Sequence, residues 1–339
     1  MESRWLFSYG YLVDNIIHFY TDNGVLPAIY NISDNKIELD IDDPMSVSDE
    51  YIEKYVRCGD LFLALSRNGK NLYVRDIKTN KKTKIEIKAN VDFYGNFAEV
   101  STNGNKVYIF TKKQKRIIVF DADNWSVYDR KIDFDLSFGV TIGESVWLLD
   151  IEGTRLIQYD LKEEKYDVIE LELRLINVAH VVNDSSIIYF LYKNGDIWTF
   201  DTLSYEQKQK YKTTDNRKVC RLVILKDKFI ELPALGNDIY IISRDNDKTV
   251  VYEDYPEDFK YIGDKGWSKY ADSFSIDGDI YYAPRSANYL MIIKTLTGDI
   301  EWLKPDIPCV NRVFDYLLKK RKQIIREGQV SLREYINNI

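Results

Sequence analysis

Apolar residues in this chain fall into short unbroken runs, most of them opened by a small, polar or charged residue and carrying an aromatic one. Seven such runs recur: 15–19, 60–64, 106–110, 145–149, 186–190, 238–242 and 279–283. A run this short predicts a strand covered on both faces and not an amphipathic helix. With Ile17, Phe62, Tyr108, Trp147, Tyr189, Tyr240 and Tyr281 as markers, the period is about 44 residues. The longest step falls between Tyr189 and Tyr240.

Two further signals keep the same beat. An apolar strand ending in Asp follows several of the runs, at Asp76, Asp121, Asp160 and Asp201. An aspartate there accepts hydrogen bonds from backbone amides two residues on and stabilises the turn to the next strand. These four acids are therefore assigned to structure and not to catalysis. The strand after the turn alternates strictly, as in Ile37-Glu-Leu-Asp-Ile41, Ile85-Glu-Ile87, Ile169-Glu-Leu-Glu-Leu173 and Ile300-Glu-Trp302. Alternation marks a strand with one face in water.

Each unit thus reads as an inner strand, a buried strand with an aromatic residue, a buried strand ending in Asp, and an outer alternating strand. This pattern resembles the β-propeller superfamily over nearly the whole chain, and a unit of about 44 residues matches a four-stranded blade. The resemblance implies an all-β ring of about seven blades across residues 1–306, or six if the first repeat is degenerate. The expected blade limits are 3–42, 51–89, 95–133, 135–173, 176–211, 227–262 and 268–304. The sixth is the least regular: an insertion at 212–226 precedes it, and Phe229-Ile-Glu-Leu232 fits either its first or its second strand. The Gly-His and Trp-Asp pairing of WD40 repeats, the double glycine of kelch repeats and the Ser-x-Asp-x-Gly box of sialidases are all missing, so no functional residue carries over from those families.

After Pro308 the period changes to the helical one, with Val310, Val313, Phe314, Leu317 and Leu318 on one face and Gly328 placed to end the helix. Ser331 and Glu334 form a capping box that opens a second short helix. Residues 307–339 are expected to form a helical tail that packs on the propeller or extends from it, and the basic run 319–322 is assigned to its solvated face.

Composition narrows the function classes. The 339 residues carry a formal net charge of -7 and a pI near 5.2, which argues against a nucleic-acid partner. No apolar stretch approaches the roughly 18 residues of a membrane span, and residues 1–20 lack the basic-then-apolar order of a signal peptide. A cytoplasmic protein without membrane contact is the expectation. Cys58, Cys220 and Cys309 are far apart and odd in number, which predicts free thiols.

Candidate chemistry is sparse. Neither GxGxxG nor a P-loop nor GxSxG occurs. Of the two histidines, His18 is assigned to the core, whereas His180 sits on an inner strand, Val178-Ala-His-Val181, whose side chains can face the channel. Propeller ligands bind where inner strands begin, and the loops there supply Tyr94, Phe138, Arg221, Tyr255, Tyr261 and Trp267, aromatic and Arg side chains of the kind enriched at interaction hot spots. Together with His180 these are the candidate binding residues. No catalytic residue, cofactor or metal is expected. The favoured function is a non-catalytic scaffold that binds a protein or peptide partner on one face. The alternative is a carbohydrate-active or other enzyme with paired carboxylates at the central channel. Oligomeric state is left open.

Overall fold

The computed structural model describes residues 7–13, 15–21, 27–39, 52–66, 70–88, 97–215, 217–234, 236, 238–259, 270–284 and 287–304. The helical tail expected at 307–339 lies outside the described residues. Within them the chain forms seven four-stranded antiparallel sheets, each built from four consecutive strands. The protein is a seven-bladed β-propeller, and the first repeat is a complete blade. No helix occurs among the described residues.

The inner strands are Phe7–Val13, Ile52–Cys58, Phe97–Asn103, Leu136–Ile142, Val178–Asp184, Val219–Ile224 and Tyr270–Ile276. The apolar runs become the second strands, and the reason lies in the pleat. Successive side chains point to opposite faces, so the second strand of blade 3 sends Val107 and Ile109 into the interface with blade 2, and Tyr108 and Phe110 into the interface with blade 4. Both faces are interior, so every position is apolar. The same logic repeats with Trp147, Ile188 and Phe190 between blades 4 and 5, and with Leu191 and Phe229 between blades 5 and 6.

Blade 6 departs from the sequence expectation. It begins at Val219 and not at 227, its second strand is Lys228–Pro233, and the 238–242 run forms its third strand, Ile239–Ser243. The extra chain therefore follows the outer strand Thr249–Tyr252 instead of preceding the blade. The charge of Glu231 hides a strand whose last five residues are all buried.

The turns between third and outer strands share one geometry. Asp76, Asp121, Asp160 and Asp201 accept backbone N–H groups of Thr79, Asp123, Lys162 and Leu203 at 2.8–3.0 Å. Four residues after the start of each turn the backbone enters the left-handed region, at Asn35, Asn80, Trp125, Glu164, Tyr205, Asp247 and Gly298 in blades 1 to 7. That conformation suits Gly and Asn, and the bulkier residues accept some strain. Glu164 gains a compensation: partial burial opposes its charge, but hydrogen bonds from Lys106 and Tyr108 and the nearby charge of Arg130 hold its carboxyl below the usual range.

Among the described residues the ring closes by packing and a side-chain hydrogen bond. Blade 7 has its own outer strand, Ile300–Leu303, and among the described residues no strand is exchanged with blade 1. Ile17, Tyr30 and Ile37 of blade 1 pack on Phe274, Ile276 and Leu290 of blade 7, and Asn35 Nδ2 donates to the Lys304 carbonyl at 3.1 Å.

Candidate functional site

Each inner strand carries a β-bulge near its start, between Phe7 and Tyr9, Ile52 and Lys54, Phe97 and Glu99, Leu136 and Phe138, Val178 and His180, Val219 and Arg221, and Tyr270 and Ser273. A bulge turns the strand and re-aims the side chain that follows it. Its own residue is small in several blades and tied back: Ser137 Oγ donates to the carbonyls of Leu149 and Asp150 at 3.1 Å, and Cys220 Sγ donates to the Pro233 carbonyl at 3.3 Å. Burial pushes the Cys220 thiol up, so this sulfur is a structural donor and not a thiolate nucleophile.

The residue after the bulge leans toward the inner strand of the next blade. Glu99 approaches Gly139 so closely that a Cβ there would lie 2.7 Å from the Glu99 Cβ. Burial pushes the Glu99 carboxyl up, against the opposing charge of Lys54 and a hydrogen bond from the Val100 amide. His180 Nδ1 accepts the Leu222 N–H at 3.2 Å. Phe138, His180 and Arg221, chosen from sequence as binding residues, thus occupy one equivalent position in blades 4, 5 and 6. All three are partly exposed, and Phe138 is the one that lines a concave surface. It borders a bowl of about 1040 Å³ on the face where the inner strands begin, and His180 and Arg221 are not among the residues that line this bowl.

The bowl spans blades 3 to 6. Its wall comes from the turns between second and third strands and from the connections between blades: Lys112 and Lys113, Ile151, the stretch 175–179, Lys193 and Asn194, and 217–220. Lys112 is held over the Phe138 ring at 4.5 Å from its centroid, and burial together with the charge of Lys113 pulls its ammonium pKa down. Gly153 permits the close approach of two wall segments. Its φ is 69°, the Leu175 amide donates to its carbonyl at 2.7 Å, and a Cβ at this position would fall 2.2 Å from the Leu175 carbonyl oxygen. The stretch 175–177 is held against the blade 4 turn in this way. Ile151 and Ile176 remain 41% and 47% exposed in the bowl.

Arg217 anchors the opposite wall. Its guanidinium and the Glu231 carboxylate are both fully buried and meet at 2.9 Å. The guanidinium also donates to Tyr211 Oη at 2.8 Å and lies 4.3 Å from the Tyr240 ring centroid. Glu231 Oε1 and Arg217 Nε have no hydrogen-bond partner among the described residues. Burial pushes the Glu231 carboxyl up to about 7 despite its cationic partner. Gly195 leaves the room for this pair, since a Cβ there would crowd Arg217 Cδ at 3.1 Å and Glu231 Oε2 at 3.2 Å.

Of the other candidates from sequence, Tyr94, Tyr261 and Trp267 lie outside the described residues. Tyr255 sits away from the bowl, packed on Phe259 at 4.8 Å and Trp302 at 5.1 Å between ring centroids, in the cluster that joins blades 6 and 7. Sequence reasoning missed Lys112, Lys113, Ile151, Ile176, Lys193 and Arg217. The signal available was positional: the residues just after each second strand face the same side as the connections between blades. Among the described residues no carboxylate lines the bowl, and no group of three or more His, Cys, Asp or Glu is arranged to hold a metal ion.

No protein-family model matches the chain, and no curated protein sequence matches it. Solved structures do match in fold. PorZ, a bacterial surface component of the type-IX secretion system of Porphyromonas gingivalis, superposes with a TM-score of 0.60 at 12% identity, over 90% of this chain and 39% of PorZ. The chain therefore spans well under half of the PorZ chain. Virginiamycin B lyase from Staphylococcus aureus gives a TM-score of 0.59 at 12% identity over 83% of this chain and 92% of the lyase, and BamB from Moraxella catarrhalis gives 0.54 at 11% identity over 85% of each chain. At such identities the likeness is one of fold.

Proposed function

We propose that the protein is a non-catalytic binding scaffold and that the bowl spanning blades 3 to 6 receives a segment of a protein partner. The observation that carries this reading is the exposure of Ile151 and Ile176 inside a concave surface of about 1040 Å³. An apolar patch with polar residues around it is the anatomy of an interface core. The bowl is wide and shared by four blades, whereas a catalytic pocket closes around a few convergent reactive groups. The described side chains around it are basic, aliphatic and amide groups with Phe138, and its hydroxyl and thiol, Ser137 and Cys220, are bound to backbone carbonyls. Paired-carboxylate chemistry needs two acids across the site. Among the described residues no carboxylate lines this bowl, and Glu99, the carboxylate after the blade 3 bulge, is held there by burial beside the charge of Lys54.

The test is affinity capture from the native cell with the wild-type chain and with an Ile151→Asp, Ile176→Asp variant, whose fold is checked by circular dichroism. Partners recovered by the wild type and lost by the folded variant support the reading. An unchanged partner set, or turnover of a small substrate by the purified protein, overturns it.

A further inference from the structure

The charge of the bowl runs against that of the chain. Although the net charge is -7, the bowl is bordered by Lys112, Lys113, Lys193, Arg217 and Lys218 and, among the described residues, by no Asp or Glu. Arg217 is already neutralised by Glu231. The four lysines have no carboxylate within ion-pair distance among the described residues, and Lys113, Lys193 and Lys218 are exposed. Like charges gathered on a concave, partly apolar surface focus a positive potential into it. Repulsion is felt within the site, since the charge of Lys113 adds to burial in pulling down the Lys112 ammonium pKa. An anionic occupant relieves both effects.

We infer that the segment docking in the bowl is an acidic peptide, with carboxylates set against Lys113, Lys193 and Lys218 around an apolar side chain seated on Ile151 and Ile176. This rests on the reading of the bowl as the partner site and adds the chemistry of the partner. The observations favour a peptide over a nucleic acid. Among the described residues Phe138 is the one aromatic ring that borders the bowl, and Lys112 covers it, so the described wall offers no open ring on which bases stack. The acidic surplus of the chain repels a polyanion that extends beyond the bowl.

The experiment is selection of a phage-displayed random-sequence peptide library on the full chain, followed by fluorescence anisotropy of the selected peptides. The variants are Lys193→Glu with Lys218→Glu, and Ile176→Ser, all at exposed positions and each checked for fold by circular dichroism. Expected are peptides rich in Asp and Glu around an apolar residue. Their affinity should fall at least about tenfold on charge reversal and fall again when salt is raised from about 0.05 to about 0.5 M. Uncharged or basic peptides that lose affinity on Ile176→Ser would overturn the acidic assignment and leave the bowl as the partner site. A library that yields no binder, or binders indifferent to every bowl variant, would overturn both. An oligothymidylate that binds more tightly than the selected peptides would place a nucleic acid in the bowl and overturn the inference.

Discussion

The Nδ1 atom of His180 accepts the backbone N–H of Leu222 at 3.2 Å, so a side chain on the inner strand of blade 5 takes up an amide on the inner strand of blade 6. An accepting Nδ1 requires the neutral ring with its proton on Nε2. Burial enforces that state and, with the charge of Arg221, pushes the His180 pKa down to about 3. The histidine is a fastener between blades.

Acid should therefore loosen this fastener. The folded pKa lies below the ordinary value of 6.5, so the contribution is complete above about pH 6.5 and is lost as pH falls toward about 3. At about pH 4.5 the loss amounts to about 3 kcal/mol. Urea unfolding at about pH 7 and about pH 4.5 measures it. The wild type should lose about 3 kcal/mol more on acidification than His180→Asn, which keeps an acceptor without a titrating ring; equal losses would remove His180 as the cause.

The Arg217–Glu231 pair should respond unequally to the loss of either partner. Glu231→Met leaves a buried guanidinium that cannot give up its charge, at a cost of about 3–5 kcal/mol. Arg217→Met leaves a carboxyl that burial already pushes up to about 7, and it can neutralise itself by taking a proton. A carboxyl whose folded pKa is raised stabilises the fold below its ordinary pKa, and that contribution fades as pH rises through the folded value. Acidification from about pH 8 to about pH 5 should thus recover part of the loss in Arg217→Met and none in Glu231→Met, as read by thermal unfolding. Parallel pH profiles would contradict the assignment.

Gly153 should prove to be a shaping residue for the bowl. A methyl group at a φ of 69° and 2.2 Å from the Leu175 carbonyl oxygen must push the blade 4 turn and the 175–177 stretch apart, at a cost of about 2 kcal/mol or more. Gly153→Ala is expected to lower the melting temperature and to weaken binding of any peptide selected on the bowl. Gly143→Ala is the control: its φ is 59° but nothing lies within 4 Å of the added methyl. Equal effects of the two substitutions on binding would show that φ strain alone, and not the Leu175 approach, is at work.

The ring was legible in the sequence because strands covered on both faces leave an unbroken apolar imprint, as at Val107 to Phe110. Asp76 and its equivalents were legible for a local reason, since the turn they stabilise lies within three residues of them. The left-handed position was not, because Asn, Trp, Glu, Tyr, Asp and Gly all occupy it and the shared feature is a backbone angle. The second strand of blade 6 stays ambiguous in the sequence because of Glu231, whose partner Arg217 lies in the stretch that reads as an insertion. Phe138, His180 and Arg221 could be picked as residues near the starts of inner strands. Their equivalence depends on bulges that leave no residue signature, and the lysines of the bowl converge only when four blades are arranged around the axis.

The seam between blades 1 and 7 should be where the ring first opens. Every other interface joins blades that follow one another along the chain, so a loosened contact there is held at a high effective concentration by its connection. Among the described residues the seam has packing and the Asn35 bond to the Lys304 carbonyl, with no exchanged strand. Leu290 and Leu148 are both fully buried, the first at the seam and the second between blades 3 and 4. Truncation of either to Ala should cost about 3 kcal/mol of global stability. Native-state hydrogen exchange separates them: Leu290→Ala should speed exchange in blades 1 and 7 well before the rest of the ring, whereas Leu148→Ala should speed it evenly through global unfolding. If Leu148→Ala produced the same localised opening around its own interface, covalent continuity would not be what protects the other junctions.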